Sequence, residues 1–180
     1  FPAFKTTDAE LKGFSNLGEQ VKDSILPIIE LTQSRKTSKN PHRDISRRVQ
    51  NIRDANGDRP LILDLTTEET LINDQIINLY NPENGYSNWV NFLKHVELDK
   101  IIPCINIIKN TSVADIALQA TQLERNHGKL AFRVPLDNPQ AIEYVTSIIL
   151  GLEDPRSLIL ILNGGFLGQG RSDDFLNVMK

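Results

Sequence analysis

Six short apolar runs, rich in β-branched residues, recur through this chain of 180 residues, and nearly every one finishes on a polar side chain. The plainest is "LILDLTTEE" (residues 61–69), where the run reaches Asp64 and then breaks into polar residues. "ILPIIEL" (25–31) carries Glu30, and "LILIL" near the end leads into Asn163. Runs this short and this continuously apolar do not alternate as a half-exposed strand does. They read as strands buried on both faces, which is the condition of a parallel sheet covered by helices.

The segments between the runs have helical spacing. Leu11, Phe14, Leu17 and Val21 mark one face of residues 8–24, with Asp8 as N-cap. Ile45, Val49 and Ile52 mark residues 45–55, and Asn56-Gly57 stops that helix. Residues 68–80 read as helical, 81–87 as a turn-rich insertion, and Ser87 as the cap of a helix over 88–96. Further helices are expected over 112–126, closed by His127-Gly128, and over 138–152, opened by Asn138 and Pro139. Residues 172–180 begin another, with Ser172 as its cap. The strands then fall at 1–5, 25–31, 60–66, 101–108, 129–136 and 157–165.

Alternating β and α units specify an α/β fold with a parallel sheet. Two architectures meet that description. A doubly wound nucleotide-binding sheet carries a glycine-rich turn after its first strand. Here that position holds "TTDAELKG", and no Walker-type motif occurs; the glycine-rich "NGGFLGQG" comes late and lacks the spacing. The polar residues at the strand ends favour the other architecture, a TIM-barrel-like (β/α) barrel, whose site is assembled at the carboxyl ends of many strands. Lys5, Glu30, Asp64, Asn106, Arg133 and Asn163 are separated by 25, 34, 42, 27 and 30 positions. A barrel of eight units has a repeat of about 30 residues. Six strands do not close such a barrel. The expectation is therefore one barrel-like domain over residues 1–180, incomplete, and continued by further strands in a longer protein.

At this point the residues resemble a family. A short strand ending in Lys5, then "LKGFSNLGEQVKDSILPIIEL" with Pro27, Ile28, Ile29 and Glu30, then "PLILDL", is similar to the opening of the beta protein family of bacterial and phage-associated proteins. The later strands with Asp64, Arg133 and Asn163 look similar to its continuation. The resemblance implies a TIM-barrel-like fold and an association with phages and mobile elements, with antiphage defence as a role. It implies no established reaction.

In a barrel the six strand-end residues converge on one mouth. Glu30 and Asp64, from neighbouring strands, are the candidate catalytic pair. They would share a divalent ion, Mg²⁺ being natural for oxygen ligands, or one would act as general base with its pKa raised by burial. Lys5 and Arg133 would hold an anionic group, Asn106 and Asn163 would orient it, and the Gly164-Gly165 turn would offer it backbone N–H groups. The competing interpretation is that Lys5–Glu30 or Asp64–Arg133 pairs simply satisfy one another. The favoured ligand is thus small, anionic and phosphorylated, and the reaction class metal-assisted hydrolysis.

A second reading is a non-enzymatic interaction module that binds a protein or nucleic-acid partner through a basic surface. Residues 35–59 carry eight cations, Arg35, Lys36, Lys39, Arg43, Arg47, Arg48, Arg53 and Arg59, against Asp44, Asp54 and Asp58. No aromatic residue interleaves with them, which weakens base stacking. The whole chain has a net charge of -3, so it has no general affinity for nucleic acid or anionic membranes. The lone Cys104 reads as a small core residue. His42, His95 and His127 lack zinc-site spacing. No apolar run approaches the ~20 residues of a membrane span. The expected setting is the cytoplasm.

Overall fold

The computed structural model describes residues 1–135 and 139–163. Strands β1 (Ala3–Lys5), β2 (Ile28–Leu31), β3 (Leu61–Leu65) and β4 (Ile101–Pro103) form a parallel sheet in that spatial order. Strands β5 (Leu130–Pro135) and β6 (Leu158–Asn163) form a parallel pair. A single parallel bridge, Cys104 to Ala131, joins the two sets. Cys104 N–H donates to Leu63 O at 2.8 Å, and Ile105 N–H donates to Ala131 O at 2.8 Å. Strand order therefore follows chain order without the reversal that a doubly wound sheet requires. No closed barrel forms among the described residues, so the barrel expectation is met only as an α/β fold with parallel strands.

Each parallel step needs a crossover, and helices supply it. They are α1 (Asp8–Ser15) and α2 (Glu19–Asp23) after β1, α3 (Ser46–Asn56) after β2, and α4 (Asp74–Leu79) and α5 (Glu83–His95) after β3. Helices α6 (Val113–His127) and α7 (Pro139–Gly151) follow β4 and β5.

The period of two along a strand explains the polar strand ends. Ile29, Leu31, Leu61, Leu63, Leu65, Leu130, Phe132 and Val134 point to the main core, which the helices cover. The alternate residues Ile28, Ile62, Ile102, Cys104 and Ala131 form a second, smaller apolar cluster on the opposite face. Two positions further along that face stand Glu30, Asp64 and Arg133. The opposite face thus has an apolar floor and a charged rim.

Several local expectations need correction. The helix expected over 8–24 breaks into two, because the chain turns at Asn16 and restarts at Gly18. Leu11 and Phe14 stay buried, but Leu17 and Val21 are exposed. The cap is Thr7, not Asp8: its hydroxyl accepts Glu10 N–H, and Glu10 in turn accepts Lys5 N–H at 2.8 Å. Thr7-x-x-Glu10 is a capping-box spacing, and that was the available signal. Residues 68–80 are a short 3₁₀ turn, Glu69–Leu71, followed by α4, which Asn73 caps.

The largest departure is at 81–87, which is no loose insertion. Helix α5 begins at Glu83, and Asn84, Gly85 and Tyr86 all take left-handed backbone angles inside it. Ser87 is consequently not a cap; its hydroxyl donates to Glu83 O. A Cβ at Gly85 would lie 2.8 Å from Leu118 Cγ and 3.0 Å from the backbone nitrogen of Gln119. Glycine supplies both the left-handed angle and the close approach of α5 to α6. The turn delivers Tyr86 fully buried, with Trp89 three positions on. The 101–108 strand is also shorter than expected: β4 ends at Pro103, and Asn106 lies beyond it. Gly57 and Gly128 close α3 and α6 with positive φ, as the sequence indicates. Asn138, Gly164, Gly165 and the helix expected at 172–180 lie outside the described residues.

Candidate functional site

At the carboxyl ends of the strands, Glu30 of β2, Asp64 of β3 and Arg133 of β5 meet. Arg133 Nη1 donates to Glu30 Oε1 at 2.8 Å and to Asp64 Oδ2 at 2.7 Å. Asp64 Oδ1 accepts the N–H of Leu65 at 2.8 Å. All three side chains are less than one-fifth exposed. Burial pushes the Asp64 carboxyl above the ordinary aspartate range, against the opposing pull of Arg133. Burial also raises the Cys104 thiol beside it, and that thiol stays protonated. The Tyr80 phenol is raised for the same reason; it stays protonated and donates to Leu65 O at 3.0 Å.

These groups line a cavity of about 510 Å³. Asn106, Asn163, Lys109, Asn110, Thr67 and Tyr144 complete its polar wall. Of the residues singled out in the sequence, Glu30, Asp64, Asn106, Arg133 and Asn163 are brought together here. Lys5 is not. It sits in register with Glu30, but its ammonium lies 3.4 Å from Glu68 Oε2. The segment after β3 brings Glu68 to Lys5, and Lys5 does not line the cavity. Lys109, Tyr80 and Tyr144 escaped the sequence reading, since they lie in loops and a helix with no strand-end pattern to mark them.

The wall after β4 is irregular backbone held from behind. Trp89 Nε1 donates to Cys104 O at 3.0 Å. Gln119, fully buried, accepts Asn106 N–H at 2.7 Å and donates to Asn106 O at 3.3 Å. The Tyr86 hydroxyl accepts Ile108 N–H at 3.1 Å and pairs with Thr111 Oγ1 at 2.7 Å. Helices α5 and α6 therefore satisfy the backbone of this stretch and leave its side chains free to face the cavity. Replacing Gln119 by Leu orphans both Asn106 backbone groups. The expected cost is about 2 kcal/mol, read as a lowered midpoint in denaturant unfolding; an unchanged midpoint would show that Asn106 is not held this way.

Two buried donors in this region have no hydrogen-bond partner among the described residues: Asn106 Nδ2 and Arg133 Nε. A buried donor left unsatisfied costs roughly 1–3 kcal/mol. Both belong to residues that line the cavity.

A divalent ion shared by Glu30 and Asp64 does not fit this arrangement. The Arg133 guanidinium nitrogen already bridges the two carboxylates. Among the described residues, no group of three or more His, Cys, Asp or Glu side chains is placed to hold a metal.

The Asp64 shift has a pH consequence. Because its folded-state pKa is raised, the folded chain binds that proton more tightly than the unfolded one. The stability it contributes is full below the ordinary value of 3.8 and is lost as pH rises through the higher folded value. Asp64→Asn removes that loss. The stability of the variant minus that of the parent is therefore expected to climb with pH across this window and then level off. A difference that falls across the window would mean that Arg133, not burial, dominates.

In the basic stretch, Arg35, Lys36, Lys39, Arg43 and Arg47 are exposed, while the other three cations are paired. Arg48 pairs with Asp8, Arg53 with Glu97, and Arg59 with Glu19 and Asp23. Among the described residues, no helix is long and apolar enough to cross a membrane.

The family model described as "Beta protein" matches residues 1–179. The chain is 29% identical over 167 residues to "Protein beta" of Enterobacteria phage P4, an alignment that covers 93% of this chain and 45% of that relative. The chain thus spans about half the length of the curated relative it matches. No solved structure matches.

Proposed function

This chain belongs to the Beta protein family, and from the mouth geometry we propose that it binds a small oxyanion-bearing ligand, a phosphate ester by class, at its strand ends. The observation that carries this reading is the pair of unsatisfied donors, Asn106 Nδ2 and Arg133 Nε. Lys109 lines the same cavity and adds positive charge. Donors without acceptors select a ligand rich in acceptors, and a cation selects a negative one. A volume of about 510 Å³ is within the usual range for small-molecule sites. Arg133 serves here mainly as the clamp on Glu30 and Asp64, so Lys109 takes the charge-holding role that the sequence assigned to Lys5.

Asp64 is the group suited to proton transfer, since its carboxyl lies at the cavity and its pKa is raised. Hydrolysis assisted by this acid–base group, without a shared metal, is the reaction class we infer. The relative in phage P4 supports a phage-linked setting, and conflict between mobile elements or with invading phage is the role we infer there.

We further propose that these units are part of a TIM-barrel-like fold. Strand order without reversal, a polar rim on one face and a relative more than twice as long support it.

Calorimetric titration with phenyl phosphate tests the binding reading. Asn106→Asp keeps the side-chain shape but replaces the donor with a charge, so affinity is expected to fall by tenfold or more, at about 1.4 kcal/mol per decade. Equal affinity in parent and variant would sink the proposal.

A further inference from the structure

The loop after β2 holds a second recess, of about 310 Å³, that is separate from the mouth. Ser34, Arg35, Lys36, Arg47, Arg48 and Asp8 line it. The chain leaves β2 through buried residues, and Ser34 is 3% exposed. Its backbone N–H is satisfied by Arg43 O at 3.1 Å, but its hydroxyl has no hydrogen-bond partner among the described residues. Arg48 is 6% exposed. Its Nε donates to Gln33 O at 3.3 Å and its Nη1 to Asp8 Oδ1. Its other terminal nitrogen makes no hydrogen bond among the described residues.

We propose that this recess is a phosphate-binding site, with the Ser34 hydroxyl and the Arg48 guanidinium as its buried donors and Arg35, Lys36 and Arg47 as its charged rim. Four cations face one carboxylate there. Asp8 is mostly exposed and can swing to solvent when an anion displaces it from Arg48. Arg53 and Arg59 take no part in the recess, being paired with Glu97, Glu19 and Asp23. Its size suits a phosphate group with a small substituent, not a polymer backbone laid along a surface. A hydroxyl beside a guanidinium is a fitting pair of donors for a tetrahedral oxyanion.

Calorimetry with inorganic phosphate at low chloride tests this. Ser34→Ala and Arg47→Gln, both small changes at sites that spare the core, are each expected to weaken phosphate binding, by about tenfold for the pair together. Asp8→Asn is expected to strengthen it by removing the competing carboxylate. Unchanged melting temperatures in the first two variants establish that they fold. The proposal is overturned if phosphate does not bind, or if it binds equally to Ser34→Ala/Arg47→Gln while Asn106→Asp abolishes it, which would place all binding in the mouth. It is also overturned if a single-stranded oligonucleotide binds the recess and phosphate fails to compete. Loss of binding in the Ser34 and Arg47 variants alone, with Asn106→Asp unaffected, supports the recess even where the mouth reading fails.

Discussion

Arg133→Met is expected to destabilise the chain by about 3–5 kcal/mol at neutral pH, a drop in melting temperature of about 10 °C for a domain of this size. The guanidinium holds Glu30 and Asp64 together through one nitrogen. Methionine fills most of the same volume but leaves two like charges side by side where water reaches them poorly. The penalty is electrostatic, so it has two signatures that simple loss of packing lacks. It shrinks as pH falls and Asp64 takes up its proton. It is also largely relieved when Glu30→Gln and Asp64→Asn are added. Thermal unfolding of the single and triple variants at two pH values reads both. A penalty independent of pH and unrelieved in the triple variant would mean that the arginine matters for its shape and not for its charge.

Trp89→Ala is the other large effect, about 3–5 kcal/mol. The indole is fully buried and stacks on Phe92 with ring centroids 5.7 Å apart. Its N–H is the partner of Cys104 O, so truncation leaves a cavity and an orphaned carbonyl at the start of the mouth wall. Because that carbonyl adjoins the cavity, loss of ligand affinity should accompany the loss of stability. Trp89→Phe, which keeps most of the volume and drops only the N–H, should separate the two: stability largely recovers, and the wall stays loosened. Denaturant unfolding and ligand titration on both variants check this. Equal stability loss in the two would show that packing contributes little.

What was legible in the sequence follows from periodicity. A strand buried on one face by helices and on the other by its own neighbours is apolar throughout, so a polar residue near its end stands out. Glu30, Asp64 and Arg133 were found in that way, and the structure brings all three together. Asn106 reaches the wall by another route. It lies past β4, where the chain is held by Gln119 and not by strand pairing, so its place in the wall depends on a helix about thirteen positions away. Lys5 fitted the strand-end rule, yet Glu68 takes its charge. No local pattern announces which loop will cross a strand end. The turn at residues 84–86 has no local signature, because three successive left-handed residues are costly for side chains other than glycine. Only packing of α5 against α6 and burial of Tyr86 sustain them. The rule that finds polar strand ends is blind to Lys109, Tyr80 and Tyr144, whose positions are set by tertiary packing.

We propose that the mouth receives an oxyanion through Asn106 and Arg133. The most direct measurement follows their own N–H signals, the Asn106 side-chain amide and the Arg133 Nε–H, by ¹⁵N nuclear magnetic resonance during titration with phenyl phosphate. Both signals are expected to move along one saturation curve, and Asn106→Asp is expected to remove the response of Arg133. Signals that stay fixed at phosphate concentrations saturating the rest of the chain would contradict the proposal.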